Sequence, residues 1–246
     1  MARTAIRRRL TWQLADVVAV RRETSRASRL SLRPPDWSGH RAGQHVDVRL
    51  TAADGYTAQR SYSVASPPEQ EDLELIVERL DDGEVSPYLT EELRPGDQLE
   101  LRGPIGGYFV WPDGDEPVQL IAGGSGVVPF LSMLGHHRAA QGEREVRLLY
   151  SARTAEDLLG VAELAESTAV VTVTLTRGAP PNWDGLVGRV DEAMLSAHTL
   201  PPTVSPQVLV CGPTAFVETI ARALTMQGHH PSSIKTERFG ATGGQP

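Results

Sequence analysis

The chain has 246 residues, 40% of them hydrophobic and 22% charged, and a formal net charge of -7. That acidic balance argues against general nucleic-acid binding. The one cysteine, Cys211, excludes an internal disulfide and a cysteine-ligated zinc or iron–sulfur centre built from this chain alone.

The opening stretch, "MARTAIRRRLTWQLADVVAV", has an arginine run but no continuous apolar core and no small-residue cleavage site. It does not read as a signal peptide, and a cytoplasmic location is expected. The first half then reads as all-β. "QLADVVAVRRE", "SRLSLRP", "GQHVDVRL", "QRSYSVAS", "LELIVERL" and "DQLELRGP" carry apolar residues at period two, separated by Pro-Pro, Asp-Gly and Pro-Gly turn signals. Six such strands predict a small antiparallel β-barrel. A short helix is expected around "SPYLTEEL", with Ser86 as N-cap and Pro87 as first helical residue. "WPDGDEP", Trp111 to Pro117, reads as a linker between a domain at 1–112 and one at 118–246.

The second half alternates strand and helix. "VQLIAG" leads into a helix from about Pro129 to Gln141. "EVRLLYSA" leads into a helix around "AEDLLGVAELAES", "VVTVTLT" follows, and "QVLVCG" leads into "TAFVETIARALTMQG". The strands are nearly continuous apolar runs, as in a parallel sheet covered on both faces. This predicts a doubly wound α/β domain with its ligand at the carboxyl ends of the strands. The uncharged run Val118 to Gly135 approaches membrane-span length, but its clustered glycines and Pro129 argue for strand, loop and helix, so no membrane span is expected.

"AGGSGVVP" sits between strand and helix. Gly124, Ser125 and Gly126 would let the backbone approach a pyrophosphate at the helix N-terminus; by itself the motif is equally a tight turn. The next strand ends with Ser151 and Arg153 rather than an acid, and Arg177 and Arg189 follow. Arginines on such loops suit a ribose 2′-phosphate, or are simply solvated. The histidine pairs His136-His137 and His229-His230 do not share a helix face and read as surface residues. Arg3, Arg7, Arg8, Arg9, Arg21, Arg22, Arg26 and Arg29 read either as a docking surface for an acidic electron carrier or as a solvated tail and strand edge.

Placed in order, the segments resemble the ferredoxin–NADP(+) reductase superfamily over nearly the whole chain. "RSYS" at Arg60 to Ser63 resembles its flavin motif and "GEVSPYL" at Gly83 to Leu89 its flavin pyrophosphate turn. "GPIGGYF" resembles the segment that closes the barrel, and "GGSGVVP" its nicotinamide-nucleotide loop. "CGP" at Cys211 to Pro213 and "ERFG" resemble the residues that frame the two rings.

The resemblance implies FAD held by Arg60 (phosphate), Ser61, Tyr62 (ring or ribityl), Ser63 (near N5), Val77, Glu78, Gly83, Glu84, Val85, Ser86, Ser125 and Phe239. It implies NADPH, with NADH possible, on Gly124, Ser125, Gly126, Ser151, Arg153, Arg177, Arg189, Cys211, Gly212 and Pro213. Ser63, Cys211 and Glu237 would form a polar trio at the reacting atoms. The implied activity is an FAD-dependent NAD(P)H oxidoreductase. It would pass electrons to a separate ferredoxin-like or other redox protein, since one cysteine cannot hold a plant-type cluster in this chain. Two alternatives stay open: a free-standing NAD(P)H:flavin or quinone reductase, and a non-catalytic flavin-binding electron-transfer subunit.

Overall fold

In the computed structural model of the chain, which describes residues 10–240, every period-two segment of the first half is a strand. These are β1 (Gln13–Arg22), β2 (Ala27–Arg33), β3 (His45–Thr51), β4 (Thr57–Ser63), β5 (Leu73–Glu78) and β6 (Gln98–Ile105). They form one antiparallel sheet in the order β4-β3-β6-β1-β2-β5. Alternate side chains such as Val46, Val48, Leu73, Leu75, Leu99 and Leu101 point into a shared apolar core, because a strand's side chains alternate between faces. Burying that one face curls the sheet until its edges meet. They meet at a single bridge, Val64–Leu75, with the Ala65 N–H donating to Glu74 O at 2.8 Å.

The second half contains β7 (Val118–Gly123), α1 (Val128–Ala139), β8 (Val146–Ala152), α2 (Val161–Ala165), β9 (Val170–Leu175), β10 (Leu186–Val187), α3 (Glu192–His198), β11 (Gln207–Pro213), α4 (Thr214–Met226) and β12 (Ile234–Phe239). Its strands are parallel, in the order β10-β9-β8-β7-β11-β12. β7 is buried at every position, which is why it reads as an unbroken apolar run. Strand order reverses between β7 and β11, so a crevice opens at their carboxyl ends. The two halves share an apolar seam, with Ala27, Ala42, Ala65, Ile76 and Phe109 from the first and Leu131, Met133 and Leu134 of α1 from the second in one cluster.

Several local expectations are corrected. The helix expected around 155–167 is a single turn at Ala155–Asp157 followed by α2. Gly160 divides them at φ +68°, where a Cβ would lie 2.4 Å from Leu131. Ser86 caps no helix end: its hydroxyl accepts from the Leu80 N–H at 3.0 Å. The helical turn after it is wide, closed by Leu93 N–H to Tyr88 O. β10, α3 and β12 were not anticipated.

The Trp111–Pro117 stretch is anchored rather than free. The Trp111 N–H donates to Ala42 O at 2.9 Å, and its ring lies 5.6 Å from that of His137. His137 and His229 are buried, against the surface reading. Arg29 is buried too, and Arg21 and Arg26 are paired to Glu74 and Asp81, which removes Arg29 from any docking surface. Arg3, Arg7, Arg8 and Arg9 lie outside the described residues. Among the described residues no helix is long and apolar enough to cross a membrane.

Candidate active site

The crevice is built from the turn after β7 and the end of β11. Glycine serves two purposes there. A Cβ on Gly126 would fall 2.3 Å from Cys211 O and 2.8 Å from Gly212 N, so this glycine lets the turn lie directly on β11. Gly124 has φ +56° and nothing within 4 Å of a built Cβ; its outer side is open. Of the two, only Gly124 thus presents a free side to the crevice, while Gly126 is taken up by β11. Gly123 and Gly212 lie under the Phe216 ring, where Cβ atoms would sit 2.9 and 2.8 Å from it. The Ser125 hydroxyl makes no hydrogen bond among the described residues, and Val128 N–H closes the turn on Ser125 O.

Cys211 and Glu237 are register partners on β11 and β12, and Pro213 and Phe239 are the last such pair. Cys211 is 2% exposed. Burial, and then the charge of Glu237, push its thiol well above the ordinary range, so it stays protonated and is no nucleophile. Burial also pushes Glu237 up to about 7. Phe239 packs partly buried against the seam cluster. Ser63 stands at the end of β4 in the other sheet, and no hydrogen bond joins it to Cys211 or Glu237 among the described residues.

Ser151, Arg153, Arg177 and Arg189 line one edge. Ser151 is buried in β8, and the three arginines are exposed just beyond β8, β9 and β10. The Arg177 N–H donates to Arg153 O at 2.8 Å. Among the described residues no carboxylate pairs with any of the three guanidinium groups. A nearby acid, Asp157, is occupied: its carboxylate accepts from the Thr154 N–H and hydroxyl at 3.2 and 3.0 Å.

On the first sheet the candidate groups are already partnered. Arg60 donates to Glu84 at 2.8 Å, and Glu84 accepts from the Tyr56 hydroxyl at 2.5 Å. Those two hydrogen bonds hold Glu84 below the usual carboxylate range. Ser61 donates to Asp47 at 2.6 Å, as does Arg102 at 2.7 Å. Tyr62 packs on the barrel core, and burial pushes it up to about 12. Val77 and Val85 are fully buried, so only their backbones can meet a ligand, and Glu78 ends β5 beside them. Gly83 crowds the Ser86 hydroxyl: a Cβ would sit 2.9 Å from it. Sequence reading missed His45. It pairs with Ser63 across β3 and β4, and burial holds it below the ordinary histidine range; only the strand register reveals it.

The donor sets fit the two cofactors. One sheet offers a cation, a half-buried aromatic ring and a small hydroxyl in consecutive strand positions. The other offers an open glycine turn at a strand-order reversal with bare guanidinium groups beside it. A curled antiparallel sheet joined to a doubly wound domain with such a crevice defines a two-domain flavin and nicotinamide oxidoreductase. The sequence agrees: residues 12–110 match the oxidoreductase FAD-binding domain family and residues 120–222 the oxidoreductase NAD-binding domain family.

Among characterised relatives, the glycine betaine monooxygenase reductase subunit of Chromohalobacter salexigens is 30% identical over 81% of this chain and 56% of its own length. NADH-cytochrome b5 reductase 1 of Aspergillus terreus is 30% identical over 80% of this chain and 70% of its own. The crystal structure of an Amycolatopsis cytochrome P450 reductase superposes with a TM-score of 0.81 at 29% identity, covering 94% of this chain and 70% of that one. The chain belongs to the ferredoxin–NADP(+) reductase superfamily of FAD- and NAD-binding oxidoreductases. It spans just over half the length of the first of these relatives.

Proposed function

We propose that this chain is an FAD-dependent NADPH oxidoreductase that hands electrons to a separate redox protein, with a flavin domain at 1–112 and a nucleotide domain at 118–246. Bound FAD would accept two electrons with a proton from a nicotinamide ring and release them one at a time. The chain's residues position and shield. Arg60 would leave Glu84 to hold flavin phosphate, Tyr62 would bear on the ring system, and Ser63 would donate near the reacting nitrogen. Gly124 and Ser125 would receive the nucleotide's pyrophosphate, while Cys211, Gly212 and Pro213 would support its nicotinamide. Glu237, close to neutrality, would hold a proton beside Cys211.

The observation that carries the NADPH reading is the row of three arginines beyond β8, β9 and β10 that pair with no carboxylate among the described residues, where the nearby Asp157 is used internally. The relative named as a glycine betaine monooxygenase reductase subunit supports a protein acceptor, and the single cysteine means that residues 1–246 supply no plant-type cluster of their own.

The test is the absorption spectrum of the purified protein before and after anaerobic NADPH, with NADH alongside. A bound-flavin spectrum bleached faster by NADPH is expected. A protein that takes up no FAD would overturn the reading, and equal bleaching by NADH would overturn the coenzyme assignment.

A further inference from the structure

Arg29 lies on β2, facing the second sheet, and is only 6% exposed. Its guanidinium meets three carboxylates at once. Nε and Nη2 donate to Glu23 at 3.0 and 3.2 Å, and Nη1 donates to Glu74 at 2.8 Å. Nη2 also lies 2.5 Å from Glu163 on α2. Glu23 in turn accepts from the Gly160 N–H, just before α2, at 2.9 Å. Two arms therefore cross from the first half to α2 and the loop before it: Arg29 to Glu163, and Glu23 to Gly160. Only arginine can do this, because its planar fork aims separate N–H groups at separate carboxylates, whereas a lysine ammonium concentrates its donors on one atom.

The apolar seam beside this node is poorly suited to fixing an angle. The first half contributes three small alanines beside Ile76 and Phe109 to it, and a cavity of about 80 Å³ lies alongside, lined by Arg29, Glu74, Leu131 and Glu163 among others. Packing of small side chains is non-directional, whereas charge-assisted hydrogen bonds are directional. The β4 segment and the β7 turn belong to different sheets, so ring-to-ring distance depends on how the sheets are held. A misplacement of about 1 Å can slow such a reaction about 100-fold.

We propose that Arg29 is a positioning residue, tying α2 to the first sheet through Glu163 and Glu23 and thereby setting the approach of nicotinamide to flavin. The effect on the reaction rests on the flavoenzyme reading; the tie itself does not.

Replacing Arg29 would strand buried carboxylates and risks unfolding the protein. The test therefore uses Glu163→Ala, which removes the α2 arm and leaves Arg29 paired to Glu23 and Glu74. Amide hydrogen exchange is measured at Gly160 and along α2 in the flavin-free protein. Flavin reduction is followed by stopped flow at saturating NADPH. Exchange along α2 is expected to rise at least tenfold, while the Gly160 N–H, still held by Glu23, and the two sheets keep their protection. Reduction is expected to slow about tenfold with nucleotide Kd within twofold, and Glu163→Gln, which keeps an acceptor for Arg29, should recover part of both.

Unchanged exchange along α2 overturns the Arg29–Glu163 tie, and faster exchange with an unaltered reduction rate overturns the positioning role. If the parent protein takes up no flavin, the flavoenzyme reading and the positioning role fall with it, while the exchange result still decides the tie.

Discussion

The two halves of the candidate site keep their ligand groups in opposite conditions. On the first sheet Arg60 is bonded to Glu84, Ser61 to Asp47, and the Ser86 hydroxyl to a backbone N–H. Beyond the second sheet, Arg153, Arg177 and Arg189 pair with no carboxylate among the described residues, and a Cβ on Gly124 would meet nothing within 4 Å. On the proposed reading, a flavin phosphate at Arg60 would replace an existing contact, whereas a nucleotide phosphate at the three arginines would add one. Affinity at the first site would then be a difference between two partners, and at the second close to the bare value of each contact.

The comparison breaks most severely at the turn itself. Gly126→Ala would push a Cβ into the backbone of Cys211 and Gly212, atoms that cannot rotate away. The expected cost is at or above the upper end of about 1–3 kcal/mol, read as a lower urea midpoint together with lost NADPH bleaching. Gly124→Ala meets no atoms and faces only its left-handed backbone, at roughly 1–2 kcal/mol. Equal effects from the two would refute the division of labour between them.

Next in size is Arg153→Ala. A charge-assisted contact contributes roughly 1.5–3 kcal/mol, so the NADPH/NADH ratio of kcat/KM should fall roughly ten- to hundredfold. An unmoved ratio would make these arginines ordinary surface residues.

Glu237 sharpens the comparison through pH. Its folded pKa, about 7, lies above the ordinary carboxylate value of 4.5, so the native state binds the extra proton. Its favourable contribution is then present below about pH 4.5 and is lost as pH rises through about 7. Glu237→Gln should flatten that decline, raising Tm by a few degrees at pH 8 while leaving it unchanged at pH 4. Identical Tm–pH curves would mean the carboxyl is solvated.

The smallest effect is expected at Glu84→Gln. Glu84 is exposed and an exposed ion pair contributes little, so freeing Arg60 should tighten FAD binding by a few-fold at most, measured as Kd on the flavin-free protein. Weaker binding would show that Glu84 assists the ligand rather than competing with it.

Much of this architecture was legible because its signals are local. Period-two alternation marked all six strands of the first sheet, and unbroken apolar runs marked β7, β8, β9 and β11. Strand β12 was missed because it is an edge strand, half-buried along most of its length, and "IKTERF" carries no apolar run. β10 has only two residues. The glycine turn was legible as a motif, but its inner division was not, since which glycine touches β11 depends on packing between distant segments. Arg29 was invisible for the same reason. In "SRLSLRP" it sits where alternation predicts a solvated residue, and its partners come from three other segments of the chain.

The chain's reliance on arginine leaves it a single lysine, Lys235 on β12. Its ammonium lies 5.9 Å from the Tyr108 ring, which follows the first sheet's last strand. Guanidinium groups do not react with acylating dyes and amines do. Apart from the α-amino group, such a dye would therefore find one attachment point, on the boundary between the halves, and its colour or anisotropy would report their relative motion without any engineered cysteine.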